Sequence, residues 1–221
     1  ASSDKSEFIS IDNYWHPDKK IQKLIDEFSE NTISNYYFPF GVAPNFSING
    51  KIHTVPLVIE ESSVVAACSK SAKFWLDRGG FHARVLSTIK KGQVHFMWEG
   101  KKESLFNFFS VVKSELLFSV KDIVSNMEKR GGGIKDLQLI SKAEALDNYY
   151  QRDVKFETGD AMGANFINSV LEALGAGLVE LASKHAAFSK IEKNLEVIMC
   201  ILSNYTPECL VSAYVECPVK D

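Results

Sequence analysis

The order of periodic segments after residue 88 is the feature that most restricts the fold of this 221-residue chain. Alternating or β-branched runs indicate strands at 93–98, 134–140, 149–157, 195–202 and 209–217. Helical apolar spacing indicates one helix around residues 116–127, preceded by a polar segment, and another over 162–182. Strand, helix, strand, strand, helix, strand is the order of the ferredoxin-like, or split βαβ, arrangement, in which two helices cover one face of an antiparallel sheet. The sequence therefore predicts an α+β protein with a ferredoxin-like small domain at residues 89–213.

The first 88 residues contain single elements but no complete sheet or helical bundle of their own. Apolar spacing predicts an amphipathic helix over 17–29, and Asn49-Gly50 predicts a tight turn between two strands. A central helix is expected over 64–76. We therefore expect residues 1–88 to be part of a larger mixed α/β domain, to which residues 214–221 return.

Composition argues against several function classes. Net charge is −3 and the acids and bases are interspersed, so no basic stripe is present for a nucleic-acid backbone. Apolar runs fall short of the roughly 20 residues of a membrane span, so no membrane partner is expected. The four cysteines form no CxxC pair and the five histidines are scattered, so we expect reduced, buried thiols and no metal site. These features predict a cytoplasmic protein.

The stretch PLVIEESSVVAA, residues 56–67, places two adjacent acids at a junction that reads as nearly buried. Glu61 is an acid in the first turn of the central helix, where the helix dipole favours negative charge. Alternatively, apolar neighbours and the adjacent Glu60 raise the pKa of Glu61, so that it holds a proton near neutral pH. The residues alone leave both interpretations open.

The stretch ETGDAMGAN places Asp160 as a predicted N-cap and small residues, 161–164, in the first turn of the second helix. Reachable backbone N–H groups at a helix N-terminus suit an anionic ligand such as a pyrophosphate. A capped helix that packs closely on the sheet remains the alternative.

Two other charged residues also have two interpretations each. Asp136, after the glycines at 131–133, is either an acceptor for a ribose hydroxyl or a solvated charge. Arg84 is either a residue that binds a carboxylate through two hydrogen bonds or a surface residue.

Taken together, these segments resemble 3-hydroxy-3-methylglutaryl-coenzyme A (HMG-CoA) reductase, and the bacterial second class more nearly than the animal class. The block ENTISNYYFPFGVAPNFSINGKIHTVPLVIEESSVVAA, residues 30–67, is similar to the family's N-terminal core, with Ser34 where the family keeps glycine. DAMGAN at 160–165 is similar to its dinucleotide-binding signature, and ILSN at 201–204 resembles the segment that closes its cofactor domain. The resemblance implies a ferredoxin-like cofactor domain inserted into a larger substrate domain.

The resemblance also implies roles for individual residues. Glu61 matches the catalytic glutamate, Ser63 lies where a serine contacts HMG-CoA, and Arg84 lies where animal-type enzymes keep an arginine for the substrate carboxylate. A homodimer is implied, with interface residues Glu30, Asn31 and Ile33. The implied cofactor-binding residues are Asp136, Asp160, Ala161, Met162, Gly163, Ala164, Asn165 and Asn204.

The implied reaction interconverts HMG-CoA with mevalonate and free coenzyme A by two hydride transfers. Asp136 falls where NAD-preferring members bind the adenine ribose, whereas Lys129, Arg130 and Lys135 suit the 2′-phosphate of NADP. NAD is therefore the predicted cofactor, and NADP remains open. The family completes its site with a lysine in an NKG-like segment, an aspartate in a GND-like segment and a C-terminal histidine, none of which occurs by residue 221. We expect a fragment that does not turn over alone. The alternative is a non-catalytic module that binds a nucleotide or coenzyme A.

Overall fold

The helices and strands fall into two units, which a computed structural model describes for residue 11 and residues 13–219. Among the described residues, the hairpin unit comprises those up to 83 and those at 213–219, and the sheet unit comprises residues 84–212. The sequence analysis places the corresponding boundaries after residues 88 and 213. The helices are α1 (Lys19–Asp26), α2 (Ser62–Leu76), α3 (Lys102–Ser119), α4 (Lys121–Glu128) and α5 (Ala164–Lys184). The strands are β1 (Phe40–Ile48), β2 (Lys51–Val58), β3 (His82–Thr88), β4 (Lys90–Met97), β5 (Gly133–Ser141), β6 (Tyr149–Glu157), β7 (Glu196–Leu202) and β8 (Cys209–Tyr214).

In the hairpin unit, β1 and β2 form an antiparallel pair. The turn between them is at Asn49 and Gly50, whose φ values of 50° and 77° lie in the left-handed region that a two-residue hairpin turn requires. The predicted hairpin is therefore confirmed. α2 packs on β1, with Val65 of the helix next to Gly41 of the strand.

In the sheet unit, four antiparallel strands have the order β5-β6-β4-β7. α3 follows β4, α5 follows β6, and both helices contact this sheet. The order of these elements along the chain agrees with the predicted one, with α4 as a short additional helix. β8 pairs with β3 and not with the four-stranded sheet.

The core lies between the sheet and the two long helices. Alternate residues of the central strands face it, among them Val94, Phe96, Val154 and Phe156, all with no exposed surface. α3 and α5 contribute apolar residues at three- and four-residue intervals: Leu105, Phe108, Val112, Leu116, Ile167, Val170, Leu171, Leu174 and Leu178. Each such side chain contributes about 1.5–3 kcal/mol when fully buried.

Three predictions about this unit are wrong in detail. The segment before residue 116, predicted to be polar, belongs to helix α3, which begins at Lys102. Its buried residues recur at helical spacing between charged ones. α5 begins at Ala164 and is capped by Gly163, so Asp160 is not its N-cap and residues 161–163 are not helical. Finally, the expected burial of the cysteines is wrong, since Cys209 is exposed and Cys68, Cys200 and Cys217 are only half-buried.

By length and composition, α5 is the one helix among the described residues that meets the requirements of a membrane span. The lengths of the apolar runs in the sequence predict no such helix, so that expectation is corrected here. Its apolar face is buried in the core described above, where Ile167, Leu171 and Leu174 have no exposed surface.

Candidate functional site

Glu61 and Ser63 form a hydrogen-bonded pair at the start of α2. Glu61 occupies the N-cap position with extended backbone (φ −111°, ψ 116°), and its side chain makes no capping bond to the helix backbone. Instead, its Oε1 accepts a hydrogen bond from the Ser63 hydroxyl. The pairing fixes one carboxylate oxygen and leaves the other directed away from this partner.

The junction that holds the two acids is exposed, which corrects the expectation that it is nearly buried. Glu60 and Glu61 are both solvent-exposed, and Ala72 is the only residue of α2 that is fully covered. β2 and α2 border the two acids without covering them. Beside them lies a mainly apolar cavity of about 450 Å³ lined by Pro39, Gly41, Ile59, Glu60, Ser62, Val65, Ala66 and Ser69.

In the sheet unit, most of the predicted cofactor residues lie at one end of the sheet. β6 ends where β5 begins, since Glu157 pairs with Gly133, and β7 ends where β4 begins, since Leu202 pairs with Gly92. β4 also begins where β6 ends, since Lys90 pairs with Phe156. The residues that follow β6 and β7 therefore emerge at the same end of the sheet. This places the 158–165 segment, Asp136 near the start of β5 and Asn204 after β7 at a common end of the sheet.

The segment between β6 and α5, residues 158–163, is a tight loop, which we call the 158–163 loop. Thr158 is 4% exposed, and its hydroxyl donates to the carbonyl oxygen of Ala161 at 2.6 Å. Gly163 has a φ of 78°, and a β-carbon there would lie 2.6 Å from Thr158 Cγ2. Gly163 is therefore needed both for its backbone conformation and for the close approach of Thr158.

The start of α5 is open to solvent and has no side-chain cap. Asp160, Ala161, Met162 and Asn165 are exposed, and Met162 retains 69% of its surface. A shallow cavity of about 290 Å³ lies over residues 162–166. Because the first N–H groups of a helix lack partners within the helix, this end can accept an anionic group.

Asp136 is half-buried on edge strand β5, opposite Lys155 of β6 and next to a bulge. Its Oδ1 accepts from the backbone N–H of Leu137 at 2.7 Å, and its Oδ2 accepts from Gln138 Nε2 at 2.7 Å. Each carboxylate oxygen keeps a second lone pair for a further donor. Lys129, Arg130 and Lys135 are the cations nearby in sequence, and Lys135 Nζ donates to the carbonyl oxygens of Gly131 and Gly132 at 3.2 and 3.3 Å.

The remaining predicted residues are on the surface. Arg84 is exposed on β3, and Asn204 is exposed in the segment after β7. Glu30, Asn31 and Ile33 lie in the loop between α1 and β1, with Ile33 69% exposed. Among the residues that the structure describes, no group of three His, Cys, Asp or Glu side chains is arranged to hold a metal ion.

Sequence reasoning missed the residues that hold the 158–163 loop. Glu157 accepts from the hydroxyl of Thr88 at 2.5 Å and from the backbone N–H of Gly159 at 2.7 Å. These bonds, the Thr88 bond first, lower the pKa of the Glu157 carboxyl. Lys90 Nζ donates to the Thr158 hydroxyl at 2.8 Å. Partners almost 70 residues apart leave no local signal in the sequence.

Arg152 was also missed, although alternation along β6 places it on the core face with Val154. It has no exposed surface, and Nε, Nη1 and Nη2 have no hydrogen-bond partner. Its guanidinium lies 4.9 Å from the ring centroid of Phe109 on α3. Burial lowers the pKa of Arg152 to about 9.

Comparison with known proteins gives a consistent result. A family model described as hydroxymethylglutaryl-coenzyme A reductase matches residues 4–221. A 3-hydroxy-3-methylglutaryl-coenzyme A reductase of Archaeoglobus fulgidus is 31% identical over 186 residues, covering 78% of this chain and 39% of that protein. A probable 3-hydroxy-3-methylglutaryl-coenzyme A reductase of Borreliella burgdorferi is 29% identical over 192 residues, covering 85% of this chain and 41% of that protein.

Solved structures agree. The class II 3-hydroxy-3-methylglutaryl-CoA reductase from Streptococcus pneumoniae bound to NADPH in open conformations matches with a TM-score of 0.72 and 30% identity. The match covers 96% of this chain and 57% of that one. A second structure of the Streptococcus pneumoniae reductase matches with the same TM-score and 29% identity, over 96% of this chain and 50% of that one. The chain thus spans about two-fifths of these relatives' length and about half of these solved structures.

Proposed function

The chain belongs to the hydroxymethylglutaryl-coenzyme A reductase family, and on this premise we propose that it contributes the catalytic glutamate and the cofactor-binding domain of an oxidoreductase. The reaction interconverts HMG-CoA with mevalonate and free coenzyme A by two hydride transfers that a nicotinamide dinucleotide supplies when bound. The family match over residues 4–221 is the observation that carries this proposal. A non-catalytic nucleotide- or CoA-binding module is not favoured, because the relatives described above are named as reductases.

The residues at the start of α5 fit the cofactor. Gly163 and Ala164 themselves carry no bulky side chain, and the uncapped helix end offers N–H donors to a pyrophosphate. We assign the predicted set to this role: Asp136, Asp160, Ala161, Met162, Gly163, Ala164, Asn165 and Asn204. Their position at one end of the sheet supports the assignment. Asp136 would accept from a ribose hydroxyl and disfavour a 2′-phosphate, so NAD is proposed over NADP, although the Streptococcus pneumoniae structure holds NADPH.

Glu61 would act as the proton donor to the substrate oxygen on which negative charge develops. The Ser63 hydroxyl donates to its Oε1, which holds the carboxyl group in one orientation. Exposure at the start of α2 leaves the second oxygen accessible to a substrate. Ser63 and Arg84 are proposed to contact HMG-CoA, the latter through a carboxylate of the substrate.

Three further assignments complete the proposal. The sheet unit is ferredoxin-like, which its strand order β5-β6-β4-β7 supports. The protein forms a homodimer through Glu30, Asn31, Ile33 and their neighbours, which the 69% exposure of Ile33 and the 81% exposure of Tyr36 support. The protein is cytoplasmic, which is supported by burial of the apolar face of α5 in the core.

We also propose that turnover requires the lysine, aspartate and histidine segments of the family, which are not among these 221 residues. The lysine would stabilise the developing oxyanion, a contribution that Glu61 alone cannot replace.

Two measurements on the chain test these proposals. Fluorescence titration with NADH and NADPH should give saturable binding, whereas oxidation of either cofactor with HMG-CoA should not exceed the background rate. Turnover by the 221 residues would show that the site is already complete. If neither NADH nor NADPH binds, the proposed cofactor-binding role of the sheet unit is overturned.

The catalytic role of Glu61 must be tested in a form of the protein that also carries the lysine, aspartate and histidine segments. There, Glu61→Gln should lower kcat by about 10²–10⁴-fold, the usual contribution of a general acid. Glu60→Gln is the matched control, because the neighbouring carboxylate is equally exposed but has no bond to Ser63. Equal losses in the two variants would contradict the assignment of Glu61.

A further inference from the structure

A chain of side-chain hydrogen bonds connects the start of β4 to the 158–163 loop. Lys90 Nζ donates to Thr158 Oγ1 at 2.8 Å, and Thr158 Oγ1 donates to the carbonyl oxygen of Ala161 at 2.6 Å. An ammonium group only donates, so the hydroxyl must accept from Lys90 and direct its own proton elsewhere. Lys90 therefore orients the Thr158 hydroxyl toward Ala161.

Thr158 fixes the loop at two points. Its hydroxyl and its backbone carbonyl both bond to Ala161, the latter accepting from the Ala161 N–H at 3.2 Å. Its methyl group occupies the space under Gly163, where a β-carbon would approach within 2.6 Å. Because Gly163 caps α5, the Thr158 methyl group lies directly beside the residue from which the first helical N–H groups extend.

A second pair of bonds holds the beginning of the loop. The Glu157 carboxylate accepts from the Gly159 N–H at 2.7 Å and from the Thr88 hydroxyl at 2.5 Å. Thr88 and Lys90 flank the short β3–β4 connection. Thr88, through Glu157, and Lys90, through Thr158, thus hold the 158–163 loop from a single connection. With the bonds to Gly159 and Ala161, four side-chain hydrogen bonds fix the position of this loop.

We infer that Lys90 and Thr158 are positioning residues for the cofactor: they hold the 158–163 loop and the open end of α5 in the geometry that binds the dinucleotide. The inference rests on the cofactor role proposed above and extends it to side chains that need not touch the ligand. A preorganised loop binds more tightly because little ordering cost remains when the ligand arrives.

The test uses the whole 221-residue chain and NADH and NADPH as ligands, with dissociation constants from fluorescence titration. Thr158→Val keeps the shape and removes the hydroxyl, so both cofactors should bind about tenfold more weakly. Lys90→Met should weaken binding about fivefold, whereas Lys90→Arg retains a donor and should remain within about twofold of the unsubstituted chain. Lys91→Met is the matched control, since the adjacent lysine pairs with Asp153 and Glu208 outside this network.

Equal affinities of Lys90→Arg and Lys90→Met would overturn the inference. Unchanged affinity in Thr158→Val, or equal losses in Lys90→Met and Lys91→Met, would also overturn it. If Thr158→Val does not fold, as judged by circular dichroism, the three lysine variants still decide. Amide hydrogen exchange of residues 159–164, faster in Lys90→Met than in Lys91→Met, tests the loop without any cofactor. Absence of binding by the unsubstituted chain would instead overturn the proposed cofactor role itself.

Discussion

Replacing Arg152 by methionine should make the sheet unit more stable, although Arg152 lies in the centre of the core. The side chain has no exposed surface, and all three guanidinium nitrogens lack a hydrogen-bond partner. Burying a charge without a partner is unfavourable, and methionine fills a similar elongated space without charge. The contact with Phe109, 4.9 Å from the guanidinium to the ring centroid, returns only about 0.5–2 kcal/mol.

The size of the effect follows from the pKa of Arg152, which burial lowers to about 9. This is roughly three to four units below the ordinary value, and at about 1.4 kcal/mol per unit it corresponds to about 5 kcal/mol of destabilisation at pH 7. After the Phe109 contact and the imperfect fit of methionine are subtracted, we expect Arg152→Met to raise the free energy of unfolding by about 2–3 kcal/mol.

Urea unfolding followed by circular dichroism at pH 7 and pH 10 measures the effect. In the folded state Arg152 releases its proton as the pH rises through about 9, while the unfolded chain remains protonated, so the native protein gains stability. The advantage of Arg152→Met should therefore shrink by about 1.4 kcal/mol for each pH unit above 9. Arg130→Met, at an exposed arginine of the same unit, should change stability by less than about 0.5 kcal/mol. An Arg152→Met variant that is no more stable than the native chain at pH 7 would refute the reasoning and indicate a partner for the guanidinium.

Three further predictions concern the same unit. Asp136→Asn should raise the affinity for NADPH relative to NADH about fivefold by titration, because on the proposed assignment it removes a negative charge that would face the 2′-phosphate; an unchanged ratio would remove the basis of the NAD preference. Thr88→Val should cost about 0.5–1.5 kcal/mol of unfolding free energy at pH 7. This cost should shrink as the pH falls below 4.5, the ordinary pKa of a glutamate carboxyl, because hydrogen bonds, the Thr88 bond first, lower the Glu157 pKa in the folded state and their stabilisation is lost on protonation. A pH-independent difference in urea titrations would contradict that origin. Gly92→Ala should cost about 1–3 kcal/mol, since the new β-carbon would lie 2.6 Å from Leu171 Cδ1. Gly41→Ala, on strand β1 of the hairpin unit, is the control, because its new β-carbon would meet Val65 at an ordinary contact distance of 3.5 Å; equal costs in the two variants would contradict the role of crowding.

Local patterns account for much of what was predictable. Asn49-Gly50 specifies its turn because few other residue pairs accept positive φ at both positions. The buried face of α5 follows from apolar spacing, and the alternation in β6 that identified a strand also places Arg152 on the core face. The beginning of α3 was in principle available from the sequence as well, since Leu105, Phe108 and Val112 are spaced as one helical face. The intervening charges obscured it.

The chain by itself thus determined its family, its order of elements and the short segments that carry chemistry, because each depends on neighbouring residues. Only the tertiary structure decided that Gly163 and not Asp160 is the N-cap of α5, because the methyl group that requires glycine there belongs to Thr158, which packs against it. It likewise decided that Glu61 is exposed and that Thr88 and Lys90 hold the 158–163 loop. Those properties depend on contacts between residues that are distant in sequence, and the pattern of neighbouring residues does not specify such contacts.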